Sequence, residues 1–416
     1  MMLGHKIALD PNNKQRTYFE KAAGVARFTY NWALEAWIKQ YKEHVEDPKV
    51  PVPHHYALAR KFRALKKTEF PWVYEVTSDA SKMPFLQVAA AFKNFFSGQS
   101  RYPKYRKKNS RERFSLQGEN IRVDGKRVKI PRLGWVRMRE ELRFKGKIMN
   151  GTVSKCGERW FISFCVDVED HQVKPHLHQG SVGIDLGVAA LATLSNGEVY
   201  IGPKPYRANM ERLRRLSRRF NRKQVGSKNH EKARVKLARL EARIANIRRD
   251  YLHNMTCDLT RRFDLIGIEN LAVGNLMHNH KLARAIADMG LYEFRRQLEY
   301  KAAMQGDQIV VASRSFPSTR LCSGCGYVNR EMTLSTRAWT CPKCGKVHER
   351  DLNAATNLLL FAESFTRFNG AKGAFEFRTE PLVKQGTLWD GLEEMSAVEP
   401  LPGGIADSVF MGVRAC

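Results

Sequence analysis

Two kinds of metal ligand lie close together in the last third of this 416-residue chain. Cys322 and Cys325 form one C-x-x-C pair and Cys341 and Cys344 another, with fifteen residues between the pairs. That spacing fits a tetrahedral zinc ribbon. Gly326 and Gly345 follow the second cysteine of each pair, where the lack of a Cβ lets backbone N–H groups turn toward a thiolate. Two disulfides or four free thiols are the alternatives. The opening residues Met1 to Lys6 carry no apolar secretory stretch, so a reducing compartment and thiolates are expected. Four sulfurs complete the coordination of one Zn²⁺, which makes that ion structural. Seven residues after Cys344 comes Asp351, at the head of an apolar helical run. A hard carboxylate suits Mg²⁺ rather than zinc; taken alone, it would serve as a helix N-cap.

Two further carboxylates sit in apolar strands. Asp185 interrupts SVGIDLG at 181–187, and burying it there costs several kcal/mol unless a cation or donors compensate. Glu269 lies near the end of LIGIENL at 265–271, where by itself it could face water. An acid on the first strand of a meander, one at the end of a later strand and one on a final helix give the layout of an RNase H type nuclease core. Two Mg²⁺ ions about 4 Å apart need several shared oxygens, and acids from separate elements can converge to supply them. No His or Ser/Cys constellation competes for the role, and His278-Asn279-His280 is too tightly spaced for a nuclease site of that lettering.

The elements that must position these groups can be read by periodicity. A short strand over Lys6–Leu9 leads into a helix whose Tyr18, Ala22, Val25, Trp32 and Ala36 share one face. Further helices over Tyr56–Lys67 and Ser81–Phe96 complete a helical module. RYPKYRKK at 101–108 interleaves aromatic and basic residues. Arg101, Tyr102, Lys104, Tyr105 and Arg106 are therefore candidate nucleic-acid contacts, with a surface linker as the alternative. From Ile121 the period becomes two, with Asp124-Gly125 as a hairpin turn and further strands to Val168, which suggests a small barrel. The helical module would be inserted in it.

After Gly180 a three-strand meander opens the next domain. Residues 203–250 then carry seventeen Lys or Arg against four acids, with an apolar stripe from Val235 to Leu259 that reads as one long helix. A helix at Leu291–Met304 and a strand at Gln308–Ser313 lead into the ribbon. From Gly370 the chain turns acidic, Gly- and Pro-rich and aperiodic, the composition of a disordered tail. The net charge of +29 is spread through most of the chain, which favours a long polyanion over a lipid surface. No run of eighteen apolar residues could span a bilayer.

GIDLG, IENL, the CSGCG and CPKCG knuckles and RDLNAATNLL, together with NHKLARAIAD at 279–288 and FPSTRL at 316–321, resemble the TnpB family of transposon-encoded nucleases, relatives of type V CRISPR effectors. The resemblance covers residues 1 to about 368 and implies a multidomain α+β protein. Its parts would be a wedge β-barrel (1–10 and 98–170), an inserted helical recognition module (11–97), a RuvC-type RNase H-like nuclease (171–320 and 346–368), an inserted zinc ribbon (321–345) and a tail (369–416). It further implies Asp185, Glu269 and Asp351 as ligands of two Mg²⁺ ions and the four cysteines as ligands of one Zn²⁺. The partners would be a guide RNA from the transposon end and double- and single-stranded DNA, bound by a monomer with one RNA in the prokaryotic cytoplasm, at the nucleoid. The implied activity is RNA-guided DNA cleavage beside a short adjacent motif. A guide-directed repressor that does not cut and a strand-joining transposase are the competing functions.

Overall fold

The computed structural model describes residues 1–108, 112–169, 177, 179–280, 282–333 and 335–369, with backbone alone for the last two. Apart from Asn369 at the end of the last helix, the tail expected over 369–416 lies outside the described residues. The chain divides between residues 171 and 172 into two compact units.

In the first unit the order is β1 (Met2–Ala8), α1 (Asn13–Glu46), α2 (His55–Thr68), α3 (Asp79–Phe96), β2 (Arg113–Gln117), β3 (Arg122–Asp124), β4 (Arg127–Ile130), β5 (Gly134–Arg137), β6 (Lys147–Cys156) and β7 (Arg159–Asp167). Asn12 starts α1 with a reciprocal capping box to Gln15. The strands expected to make a barrel form a four-stranded antiparallel sheet, β1-β7-β6-β2, and a three-stranded one, β3-β4-β5, which meet at a bridge between Leu9 and Met138. Helix α1 packs Phe19 between Phe114 and Trp160, with ring centres 5.9 and 5.1 Å away. Buried Asp79 ties α3 to the sheet by accepting from the Gln117 N–H and the Asn120 amide.

The second unit runs β8 (Ser181–Leu186), β9 (Ala192–Leu194), β10 (Val199–Tyr200), α4 (Pro205–Asn221), α5 (Lys228–Arg262), β11 (Leu265–Glu269), α6 (Val273–His278), α7 (Ala283–Met289), α8 (Leu291–Gln305), β12 (Gln308–Ala312), β13 (Ala338–Thr340), β14 (Val347–Glu349) and α9 (Arg350–Asn369). The long helix expected from the stripe at 235–259 is α5, and a separate helix, α4, precedes it. Arg222 caps α4, Gly226 adopts φ +86°, and the Ser227 side chain caps α5 by accepting from the His230 N–H. The apolar stripe is carried by α5, where Leu240, Ile244, Met255 and Leu259 are buried.

The sheet order is β10-β9-β8-β11-β12, antiparallel from β10 to β8 and parallel from β8 to β12. Parallel neighbours need long crossovers, which α4–α5 and α6–α8 supply. Strand alternation then sorts the residues of β8 and β11 by face. Val182, Ile184, Leu186, Ile266 and Ile268 join one core with Leu252, Met255 and Leu259 of α5 and Phe294 and Leu298 of α8. Gly183, Asp185, Gly267 and Glu269 therefore face the other way, toward α9.

Candidate active site and metal centre

The close seat of α9 on the sheet follows from the two glycines. A Cβ on Gly183 would collide with the Ala355 carbonyl oxygen and the Leu359 nitrogen, and one on Gly267 with the Leu358 carbonyl oxygen. The helix backbone thus rests directly on β8 and β11, and because the Asp351 charge acts on Asp185 it runs opposite to them. From Gly183 to Asp185 is two strand residues, roughly 6.6 Å. From Ala355 back to Asp351 is four helical residues, roughly 6 Å. The two displacements point the same way, so Asp351 arrives over the end of β8 that carries Asp185. Glu269 sits one step past the Ile268–Ile184 register pair and so beside Asp185.

Electrostatics report the same convergence. Asp185 is 9% exposed, and its carboxyl is held well above the usual carboxylate range by burial, then by the negative charges of Glu269 and Asp351, against the opposing pull of Arg350. Burial pushes Glu269 up to about 7, although the Leu186 N–H donates to it. Arg350 forms a 2.8 Å ion pair with Asp351. A cluster of acids in which one is buried and opposed by two others is poised to accept cations. Among the described residues, the four ribbon sulfurs form one metal-ligating group, all within 4.8 Å of one another. Asp185, Glu269 and Asp351 are the residues that would hold divalent ions here, which would supply positive charge against the three carboxylates.

The ribbon cysteines meet as the spacing predicts. Sulfur separations of 3.6 Å, Cys322 to Cys344 and Cys325 to Cys341, match the roughly 3.8 Å edge of a tetrahedron built on 2.3 Å Zn–S bonds. Each pair lies in a turn closed by its glycine: Gly326 and Gly345, at φ +72° and +71°, donate to the carbonyls of Cys322 and Cys341. Buried His348 brings Nε2 within 3.1 Å of Cys322 Sγ and lies against the Trp339 ring. The ribbon is clamped to α9 by two asparagines one turn apart, 3% and 2% exposed. Asn353 accepts from the Ser323 N–H and donates to the Leu321 carbonyl, and Asn357 donates to the carbonyls of Ser318 and Leu321. These asparagines escaped the sequence reading, although their i, i+4 spacing in NAATN was the available signal.

The 101–108 segment is split in use. Arg106 donates to Gln87, exchanges hydrogen bonds with Asn31 and stacks 3.6 Å over the Tyr30 ring, while Tyr102 packs edge-on against Phe92 and Phe95. Arg101, Lys104 and Tyr105 are exposed. Arg106 and Tyr102 thus pack within the unit, whereas Arg101, Lys104 and Tyr105 do so less. His278, Asn279 and His280 are exposed and belong to no metal-ligating group among the described residues. No helix among those residues is long and apolar enough to cross a membrane.

Comparison with known proteins agrees with this architecture. A family model described as "Probable transposase" matches residues 163–280, one for the Cas12f1-like TNB domain matches 292–358, and one named a helix-turn-helix domain matches 1–46. In that last segment the structure has one strand and one helix. Two curated relatives carry the name "Putative RNA-guided DNA endonuclease". That of Streptomyces pristinaespiralis is 36% identical over 85% of this chain and 88% of its own, and InsQ of Escherichia coli K12 is 33% identical over 85% and 90%. A Cas12f1–sgRNA–target DNA complex shares the fold with a TM-score of 0.50 at 16% identity, covering 83% of this chain and 82% of that one. With relatives of this identity spanning most of its length, the chain belongs to the TnpB family.

Proposed function

We propose that the protein is an RNA-guided, Mg²⁺-dependent DNA endonuclease of RuvC type, and that its second unit is an RNase H-like nuclease carrying an inserted zinc ribbon. The first unit would then be the wedge with its recognition helices. The observation that carries the reading is the convergence of Asp185, Glu269 and Asp351 on the α9 face of one sheet end. Divalent ions bound there would supply the charge that activates water and steadies the leaving oxygen of a phosphodiester. The protein's own contribution is positional. Asp185 and Glu269 are fixed by strand register, Asp351 by the seat of α9, and Arg350 orients Asp351 through its ion pair. Hard carboxylate oxygens favour Mg²⁺, and the four thiolates favour zinc in the ribbon.

The relatives' names and the complex to which the fold is similar supply the guide RNA and DNA target for this reading. A net charge of +29 suits a protein that grips backbone and leaves sequence choice to base pairing. The test is incubation of the purified ribonucleoprotein with a plasmid matching the guide and Mg²⁺. Linear product, lost in Asp185→Ala while guide-dependent binding persists, is the expected result. Retarded but intact plasmid would identify a repressor, and insertion products a transposase.

A further inference from the structure

Beside Glu269, on the side away from Asp185, the ends of β11 and β12 and the segments that follow them enclose a cleft of about 250 Å³. Leu271, Asn275, Leu276, Arg314 and Phe316 line it together with Glu269. Glu269 pairs in register with Ala312, and Arg314, two residues later, lines the same cleft. The walls are braced. Asn270 accepts from Arg295 at 2.9 Å, and Phe316 packs on Phe361 of α9 at 4.9 Å between ring centres.

Arg314 differs from the arginines around it. Arg262, Arg295 and Arg296 each pair with a carboxylate of their own unit. Arg314 is exposed and has no ionic or hydrogen-bonding partner among the described residues. An exposed guanidinium that lines the same cleft as Glu269 and is paired with nothing among the described residues is available to an external anion, and its fork matches phosphate oxygens. The leucines and Phe316 offer an apolar floor and Asn275 an amide, the complement of a sugar and base edge. The cleft falls below the 300–1,000 Å³ usual for a complete small ligand, so it suits one residue of a polymer whose remainder lies outside.

Resting on the nuclease reading above, we propose that this cleft holds the nucleotide adjoining the scissile phosphate, with Arg314 binding the flanking phosphate and so setting the target strand's register against Glu269. The test uses the guide-loaded protein in single-turnover cleavage, with target DNA carrying either natural phosphates or one uncharged methylphosphonate at the flanking position. Arg314→Ala slows cutting of natural DNA on the order of 10- to 100-fold, the worth of one charged hydrogen bond. Guide-dependent binding and melting temperature stay at wild-type values, and Arg314→Lys recovers part of the rate. The methylphosphonate slows wild type by a similar factor and Arg314→Ala no further. Wild-type cutting by Arg314→Ala, or equal slowing of both proteins by the methylphosphonate, overturns the assignment. Failure of wild-type protein to cut natural DNA overturns the nuclease reading itself and this proposal with it.

Discussion

Burial of the Glu269 carboxylate at the end of β11 carries a stability cost that a melting experiment can read. Glu269 titrates near 7 in the folded chain against an ordinary 4.5. A carboxyl whose folded value is raised leaves the folded state holding more protons than the unfolded one between those two values. Stability is therefore lost as pH rises from about 4.5 to about 7, and above that window the full penalty applies. At 1.36 kcal/mol per unit the ceiling is about 3 kcal/mol. Glu269→Gln keeps an acceptor for the Leu186 N–H and removes the charge. Without divalent ions at pH 8, the variant should melt above wild type by up to roughly 6 to 12 °C for a unit of this size. At pH 4 the difference should vanish. Added Mg²⁺ should raise the wild-type midpoint at pH 8 and leave the variant nearly unmoved. A variant that melts at or below wild type at pH 8 without ions would refute the reasoning, since Glu269 would then be stabilising as a charge.

Cys341→Ser should release zinc to a chromogenic chelator and cut cleavage sharply, because the ribbon anchors the start of α9; full activity without bound zinc would contradict this. Asn357→Ala leaves the Ser318 and Leu321 carbonyls without its two hydrogen bonds, which should loosen the ribbon by about 2 to 4 kcal/mol. Hydrogen exchange over 318–323 should quicken while zinc stays bound, and unchanged exchange would count against the clamp. In the 101–108 segment, Arg106→Ala should lower the melting temperature with little change in the salt dependence of RNA binding. Lys104→Ala should do the reverse, reducing the log-log salt slope by about one; identical effects of the two would merge what the structure separates.

The strands and helices around the site were legible because their apolar periods are clean, and the two acids stand out as the hard ligands within them. What the sequence left hidden is the shared face. Gly183 and Gly267 each stand two residues before an acid, but only the packing shows that a helix rests on both. The division of α4 from α5 was obscured because basic residues continue unbroken through Arg222 and Lys223, masking the turn signal at Gly226-Ser227. Strand β1 starts at Met2 rather than Lys6: Gly4 and His5 read poorly as strand, yet both pair with β7 and His5 is 1% exposed. Asn353 and Asn357 were not singled out because a polar side chain reveals burial only once its partners are known.

The seat of α9 also dictates when the enzyme can become competent during synthesis. Strands β8 and β11 emerge from the ribosome early, but Asp351 and the helix that carries it come near the end of the described chain. A nascent polypeptide stalled before Arg350 can pair its strands, yet it exposes the α9-facing groove and holds only two of the three acids. On the proposed nuclease reading, premature termination there would leave the ion site without its third acid, and a partly made copy would be unable to cut DNA.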